Sequence, residues 1–317
     1  MVNRSPVPVT IVGGAGAEDL ARTLRAPDHG ILAGSWHGPG SVQIDADTAH
    51  RTPGCSCCAL RLDVIDGLLR AVRRPNPPAH VLLVAEPGDD VTTIAYTVLS
   101  DADLARHVRL DGVVVSLDAV AMATRKAGGA PLGSGPELET LAIADAIVLD
   151  RASELTNDAI ISIRHSLGAI NAIGSTLERT ADAALLSAQR QRLIGIDAWH
   201  GAPAVGARID VELRGPDDGP HTLILRQRAP LDPDAVDAWL DRVIESHAQR
   251  LVRLQGALAI DSAPARVCCH GVRSYAMSHS ESADPPASRR GESLVVIVGH
   301  DLDAGDLSSE FAATRVR

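Results

Sequence analysis

Three cysteines within four residues set the chemistry this chain could perform: Cys55, Cys57 and Cys58, in the run Gly54-Cys55-Ser56-Cys57-Cys58-Ala59-Leu60-Arg61-Leu62-Asp63. Thiolates are soft donors that suit zinc and Cu(I). A turn of this spacing can aim three sulfurs at one ion, leaving a fourth position for a histidine, a carboxylate, water or a partner. His29, His37 and His50 precede the cluster and are candidates for that position; an exposed histidine without a metal role is the plain alternative for each. For the cysteines the alternative is a buried turn with inert thiols, but clustering argues for ligands in a way a lone cysteine does not. A second set is Cys268-Cys269-His270, inside a stretch that reads as a strand. Alternate residues of a strand share a face. Cys268 and His270 could therefore bind a metal together while Cys269 enters the core. His279 follows nearby, and buried free cysteine is the alternative.

A glycine turn is the next feature with chemical content. Val7 to Val12 reads as a strand, Gly13-Gly14-Ala15-Gly16 as a bend, and Ala17 to Leu24 as a helix. Strand, glycine loop and helix form the layout of a phosphate-binding turn, with Gly14 and Gly16 as its cradle residues. The charges oppose it. A helix N-terminus attracts anions, and Glu18 and Asp19 already supply them. A triphosphate there would meet two like charges, each costing on the order of a few kcal/mol in a desolvated site. Glu18 and Asp19 read as helix-start acids.

The elements that must position these residues alternate. Strands at His80–Ala85, Gly112–Ala119 and Asp145–Leu149 and helices at Ala59–Val72, 137–144 and Asn157–Ala169 predict an α/β unit with a largely parallel sheet. Leu62, Ile65, Leu68, Leu69 and Val72 recur at helical spacing after the cysteines. Residues 26–53 read as irregular apart from a short strand at Val42–Ile44. The pattern loosens from about Ser187 to Gly206, which predicts a linker between residues 1–195 and 206–317. The second part reads as α+β: strands at Ile209–Leu213, Thr222–Arg226, Leu251–Ile260, Ala265–Tyr275 and Leu294–Val298, a helix from Asp232-Pro233 to His247, a polar flexible loop over 278–292 and a terminal helix within Asp301–Phe311.

Composition bounds the function. The 317 residues suffice for two cores, which must be aliphatic because aromatics are 2%. A net charge of −10 argues against general or sequence-specific nucleic-acid binding. Five cysteines, three of them clustered, do not suggest a disulfide framework, and a reducing cytoplasm fits them best. The amino terminus leads directly into a strand, so no signal peptide is expected. No apolar run approaches the length of a membrane span.

Gly54-Cys-x-Cys-Cys entering a helix, with Leu60-Arg61-x-Asp63 on its first turn, resembles the CobW family. These are P-loop-type GTPases that handle zinc or cobalt. The resemblance extends, with gaps, over nearly the whole chain, including Leu231-Asp232-Pro233, Val252-x-x-x-Gly256 and Gly299-His300-Asp301-Leu302-Asp303. It implies a P-loop-NTPase-like α/β domain, a largely parallel sheet with flanking helices, followed by a smaller α+β domain of the CobW C-terminal type. The departures fall on the nucleotide site. The family's Walker A loop ends Gly-Lys-Thr-Thr; here Ala17, Glu18 and Asp19 follow Gly16, and the motif's first glycine falls on Ile11. The strand ending at Glu86 keeps the acid without the following hydroxyl residue, and Glu86 divides evenly between a sheet-edge charge and a metal-linked role. The guanine-reading Asn-Lys-x-Asp is Asp150-Arg151-Ala152-Ser153, and Glu154 could replace its last carboxylate only with a one-residue shift. The resemblance thus implies a Zn(2+)-binding protein with a degraded GTPase site, with GTP and Mg(2+) in doubt. It would act in zinc homeostasis or zinc limitation as metal carrier, sensor or adaptor. Its partner would be a metal-receiving client or, as in an actinobacterial branch with a lysine-free first loop, a ribosome-associated hibernation factor. Two alternatives stay open: an active GTP-dependent zinc metallochaperone, and a structural protein without metal.

Overall fold

Long runs of Val, Ile, Leu and Ala explain the first sheet. In the computed structural model, which describes residues 5–33, 41–43, 56–86, 88–130, 133, 135–180, 182–199, 211–214, 219–261, 263–280 and 291–316, strands β1 (Val7–Gly14), β2 (His29–Ala33), β3 (Ser41–Gln43), β4 (His80–Val84), β5 (Val108–Asp118), β6 (Ala146–Asp150) and β7 (Ser175–Glu178) form a sheet of order β3-β2-β4-β1-β5-β6-β7. Every recorded pairing in it is parallel. Its central strands are buried along most of their length, as parallel strands covered on both faces must be. The helices are α1 (Ala17–Leu24), α2 (Ser56–Val72), α3 (Val91–Ser100), α4 (Ala119–Ala127), α5 (Gly135–Ile143), α6 (Asn157–Ile170) and α7 (Ala183–Leu193). In α1, Ala17, Leu20, Ala21 and Leu24 form the buried stripe, packed with Val12, Val114 and Val148.

Several expectations are revised. β2 lies in the stretch read as irregular, and α7 begins before and runs into the stretch read as loosening. Within α2, Val64, Leu68 and Ala71 are buried while Leu62 is 45% exposed, so the inward stripe is rotated from the one read through Leu62, Ile65, Leu69 and Val72. Asp63 is buried with it.

The amino edge of this sheet holds a buried polar network. Thr10 donates its hydroxyl proton to Asp111 Oδ2 at 2.9 Å. That proton is then spent, so the 2.8 Å contact to His80 Nε2 requires the ring to donate. Asp111 also accepts from the amides of Gly195 (2.8 Å) and Asp197 (2.9 Å), tying the chain after α7 to β5. Burial pushes the His80 imidazole down to about 4, against the opposing pull of Asp111.

A second sheet is antiparallel: β8 (Val211–Arg214), β9 (His221–Gln227), β10 (Leu251–Leu258), β11 (Val267–Val272), β12 (Tyr275–Ser280) and β13 (Ser293–Gly299), in the order β12-β11-β10-β13-β9-β8. β12 occupies the start of the segment read as a loop; residues 281–290 of that segment lie outside the described residues. Helices α8 (Pro233–His247) and α9 (Ala304–Ala312) share a core with the sheet, where the Trp239 and Phe311 rings sit 4.9 Å apart. The motifs noted in the sequence have local causes. Asp232 caps α8 by accepting from Ala235 N at 2.9 Å, with Pro233 in the first turn. Asp303 caps α9 in the same way. A Cβ on Gly299 would sit 2.7 Å from Arg250 O. The chain divides into one unit of residues 1–164 and 175–197 and another of 165–174 and 198–317, so α6 contributes to both.

Candidate functional site

The chain passes from β1 through α1 to β2 on one side, and from β4 to β5 across β1 to the other. A crevice at the carboxyl ends of such strands is where open α/β sheets bind ligands. The glycine turn lies there. Gly14 and Gly16 have φ of 85° and 80°, and a Cβ on Gly14 would come within 2.2 Å of Ser116 O. Beneath the turn, Ser116 Oγ is buried and without a hydrogen-bond partner; a Cβ on Gly16 would lie 3.3 Å from it and 3.8 Å from Asp150 Oδ2. A donor hydroxyl suits an anion. The carboxylates of Glu18, Asp19 and Asp150 do not.

Those acids are engaged by the chain itself. Glu18 pairs with Arg22. Arg179, at the end of β7, reaches Asp19 Oδ2 at 2.6 Å and Asp150 Oδ2 at 3.2 Å, and donates to Thr23 Oγ1 at 2.9 Å. Arg151 has φ 56°, uncommon for a residue with a side chain. Its guanidinium forks onto both oxygens of Glu154 at 2.9 Å and donates to Asp118 Oδ2 at 2.9 Å. Asp118 also caps α4, and the Ala121 amide leads the Arg151 contact in holding its carboxyl below the usual range. The Arg151 hydrogen bond lowers Glu154 too. Ala17, Glu18, Asp150, Arg151 and Glu154 were singled out in the sequence; Arg179 and Ser116 belong to no motif and were missed.

Beside the turn is a cavity of about 350 Å³, walled by Val91, Val115, Leu117 and Met122 and bordered by Glu86, Asp89, Glu137 and Arg125. Glu86 N donates to Asp89 Oδ2 at 2.8 Å. Burial raises the Asp89 carboxyl, and the nearby Glu86 charge adds to the effect.

Cys57 and Cys58 lie on the first turn of α2; Cys55, His37 and His50 fall outside the described residues. Among the described residues His29 joins no metal-holding group. It lines a hollow with Ala71 and Arg74, at the far end of α2. Fourteen residues of helix separate Cys57 from Ala71, about 21 Å at 1.5 Å per residue. Its ring instead stacks 5.2 Å from His80.

On β11, Cys269 sits in the core opposite Gly256, where an added Cβ would lie 2.6 Å from its sulfur. Burial drives its thiol up to about 12. Cys268 and His270, both fully buried, take the other face. The Trp199 ring is 6.2 Å from His270, and the Arg253 guanidinium carbon lies 4.4 Å from the Trp199 ring centre. Among the described residues no group of three or more His, Cys, Asp or Glu side chains is arranged to hold a metal, and no helix is long and apolar enough to cross a membrane.

Comparison with known proteins places these features. Residues 42–176 match the CobW/HypB/UreG nucleotide-binding domain and residues 221–315 the cobalamin synthesis protein CobW C-terminal domain. The zinc chaperone CobW of a Sinorhizobium species is 21% identical over 98% of each chain. The zinc-regulated GTPase metalloprotein activator 1 of Schizosaccharomyces pombe is 23% identical over 55% of this chain and 46% of its own. The crystal structure of the Zn(II)-bound YjiA GTPase from E. coli superposes with a TM-score of 0.67 over 99% of this chain and all of that one, at 19% identity. With both domains matched in order and the two-sheet fold in place, the chain belongs to the CobW family.

Proposed function

We propose that this chain is a zinc-handling protein that works without GTP turnover, as carrier, sensor or adaptor, because its nucleotide site has been taken over by internal ion pairs. One observation carries the reading. Arg179 bridges Asp19 and Asp150 at the glycine turn, and Arg151 is clamped between Asp118 and Glu154 where the family reads guanine. An arriving magnesium nucleotide would have to break both arrangements and still meet three carboxylates with no lysine in the loop. The residues present do not fit that group.

Zinc does fit by donor chemistry. Cys55, Cys57 and Cys58 would hold it, and the amino end of a 17-residue helix favours the thiolate form that binding needs. The zinc-related names of the two matched relatives support the same cargo. Its client would be a metal-receiving protein or a ribosome-associated factor. The glycine geometry and the free Ser116 hydroxyl favour a second reading, an active GTP-dependent metallochaperone.

Paired titration of the purified protein separates the two. The first expects zinc to bind tightly, to be weakened strongly by Cys57→Ser, and a GTP analogue to bind poorly. Ala17→Lys with Glu18→Thr and Asp19→Thr should then raise nucleotide affinity. Saturable, magnesium-dependent GTP binding by the unaltered chain would establish the second and overturn the first.

A further inference from the structure

We propose that the cavity beside the glycine turn binds a small organic cation, an ammonium or guanidinium group carried on an apolar body. The cavity measures about 350 Å³, inside the range of about 300–1,000 Å³ typical of small-molecule pockets. Its floor is aliphatic. In β5, Val114 packs with the residues of α1, so Val115 and Leu117, one and three positions on, take the opposite face of the sheet. There they meet Val91 of α3, Met122 of α4 and Leu141 of α5 around the cavity. The floor therefore faces away from α1, although Gly14 and Ala15 also border the space.

The charges at the rim select the sign of the ligand. Among the described residues that border the cavity, four carry carboxylates, Glu86, Asp89, Asp118 and Glu137, against one guanidinium, Arg125. Asp118 is spent on the α4 cap and on Arg151 at 2.9 Å. Arg125 pairs with Glu137 at 3.3 Å, and both side chains are about half exposed, so the pair can part at little cost. Asp89 is placed differently. It accepts from the Glu86 amide at 2.8 Å, and among the described residues no lysine or arginine pairs with it. Burial, and then the like charges of Glu86 and Asp90, work against its ionised form. A cation beside Asp89 would relieve that opposition, whereas a carboxylate or phosphate would add to it. The Thr140 hydroxyl suits the same ligand: its proton is spent on Pro136 O at 2.9 Å, which leaves the oxygen to accept from an ammonium N–H.

The site needs neither zinc at Cys55–Cys58 nor either outcome of the nucleotide titration. The test titrates the full chain at neutral pH, by calorimetry, with four probes: phenethylammonium, its neutral counterpart phenethyl alcohol, its anionic counterpart phenylacetate, and methylammonium, which has the charge without the body. Phenethylammonium should bind at one equivalent, about ten-fold or more tighter than the alcohol, with phenylacetate weakest. Asp89→Asn keeps an acceptor for the Glu86 amide; it should cost phenethylammonium about ten-fold and leave the alcohol unchanged. Ala121→Trp places a ring at the exposed rim and should block both, with an unchanged urea midpoint showing that the fold is kept. Phenylacetate binding as tightly as phenethylammonium, methylammonium matching it, no uptake of any probe, or binding indifferent to both variants overturns the proposal. Displacement of phenethylammonium by a GTP analogue would give the cavity to the nucleotide and overturn it as well.

Discussion

Gly14 and Gly88 both have left-handed backbones, yet one methyl group should separate them. Each would carry an alanine at a cost of about 1–2 kcal/mol for the conformation alone. At Gly88 no described residue lies within 4 Å of the added atom, whereas at Gly14 it meets a backbone oxygen at 2.2 Å. Gly14→Ala should lose more than about 3 kcal/mol in urea unfolding and Gly88→Ala about 1–2; equal losses would mean the turn relaxes freely. His80 gives a prediction in pH. Its folded pKa of about 4 lies below the unfolded 6.5, so the unfolded chain binds the extra proton. The contribution is fully present above pH 6.5 and is lost as pH falls toward 4, with about 3 kcal/mol at stake. His29, also lowered by burial, adds with the same sign. His80→Gln keeps a donor toward Thr10 and should flatten the stability profile across that window. At this scale the sequence displayed types well and partners poorly: the glycines and missing lysine were visible, but Arg179 lies 160 residues from the Asp19 it grips.

Helices and strands were legible where packing and propensity agree. The runs of β4 and β6 were read to within a residue because a twice-covered strand is apolar throughout, whereas β5 begins at Val108, four residues before the Gly112 at which it was read, since Arg109 and Asp111 break its apolar run. β2 escaped because its buried core is only Ile31, Leu32 and Ala33, too short to show a period among the flanking prolines and glycines. α3, Val-Thr-Thr-Ile-Ala-Tyr-Thr-Val-Leu-Ser, drew no helix because its residues are strand formers; its helix is imposed by burial of Val91, Ile94, Ala95 and Val98 and by the Asp90 cap on Thr93 N. The stripe of α2 was misplaced because Gly67 and Asp63 face inward with Val64 and Leu68, which hydrophobicity alone does not show. The first turn of α1 makes a testable element. Arg179→Met would take from Asp19 and Asp150 the guanidinium they share. With Asp19 largely exposed the loss should be about 1 kcal/mol, shrinking as salt is raised. A loss that salt does not change would show that Arg179 acts by packing.

Two cores in one chain imply two cooperative units, and the tryptophans allow them to be watched separately. Trp199 and Trp239 both belong to the second unit and are fully buried, whereas most helical residues lie in the first. In a Trp36→Phe background, emission follows the antiparallel unit alone while far-ultraviolet circular dichroism is weighted to the parallel one. A ligand stabilises only what it binds, by about 2.7 kcal/mol at a hundred times its Kd. If zinc is held at the amino end of α2, saturating zinc should raise the dichroism midpoint in urea. The emission midpoint of the antiparallel unit should then stay where it is. A dichroism midpoint indifferent to zinc would remove the Cys55–Cys58 site, because an ion bound there must stabilise the unit that contains Cys57 and Cys58. Identical shifts in both signals would mean that the units unfold as one, and the two-core account of the fold would have to be given up.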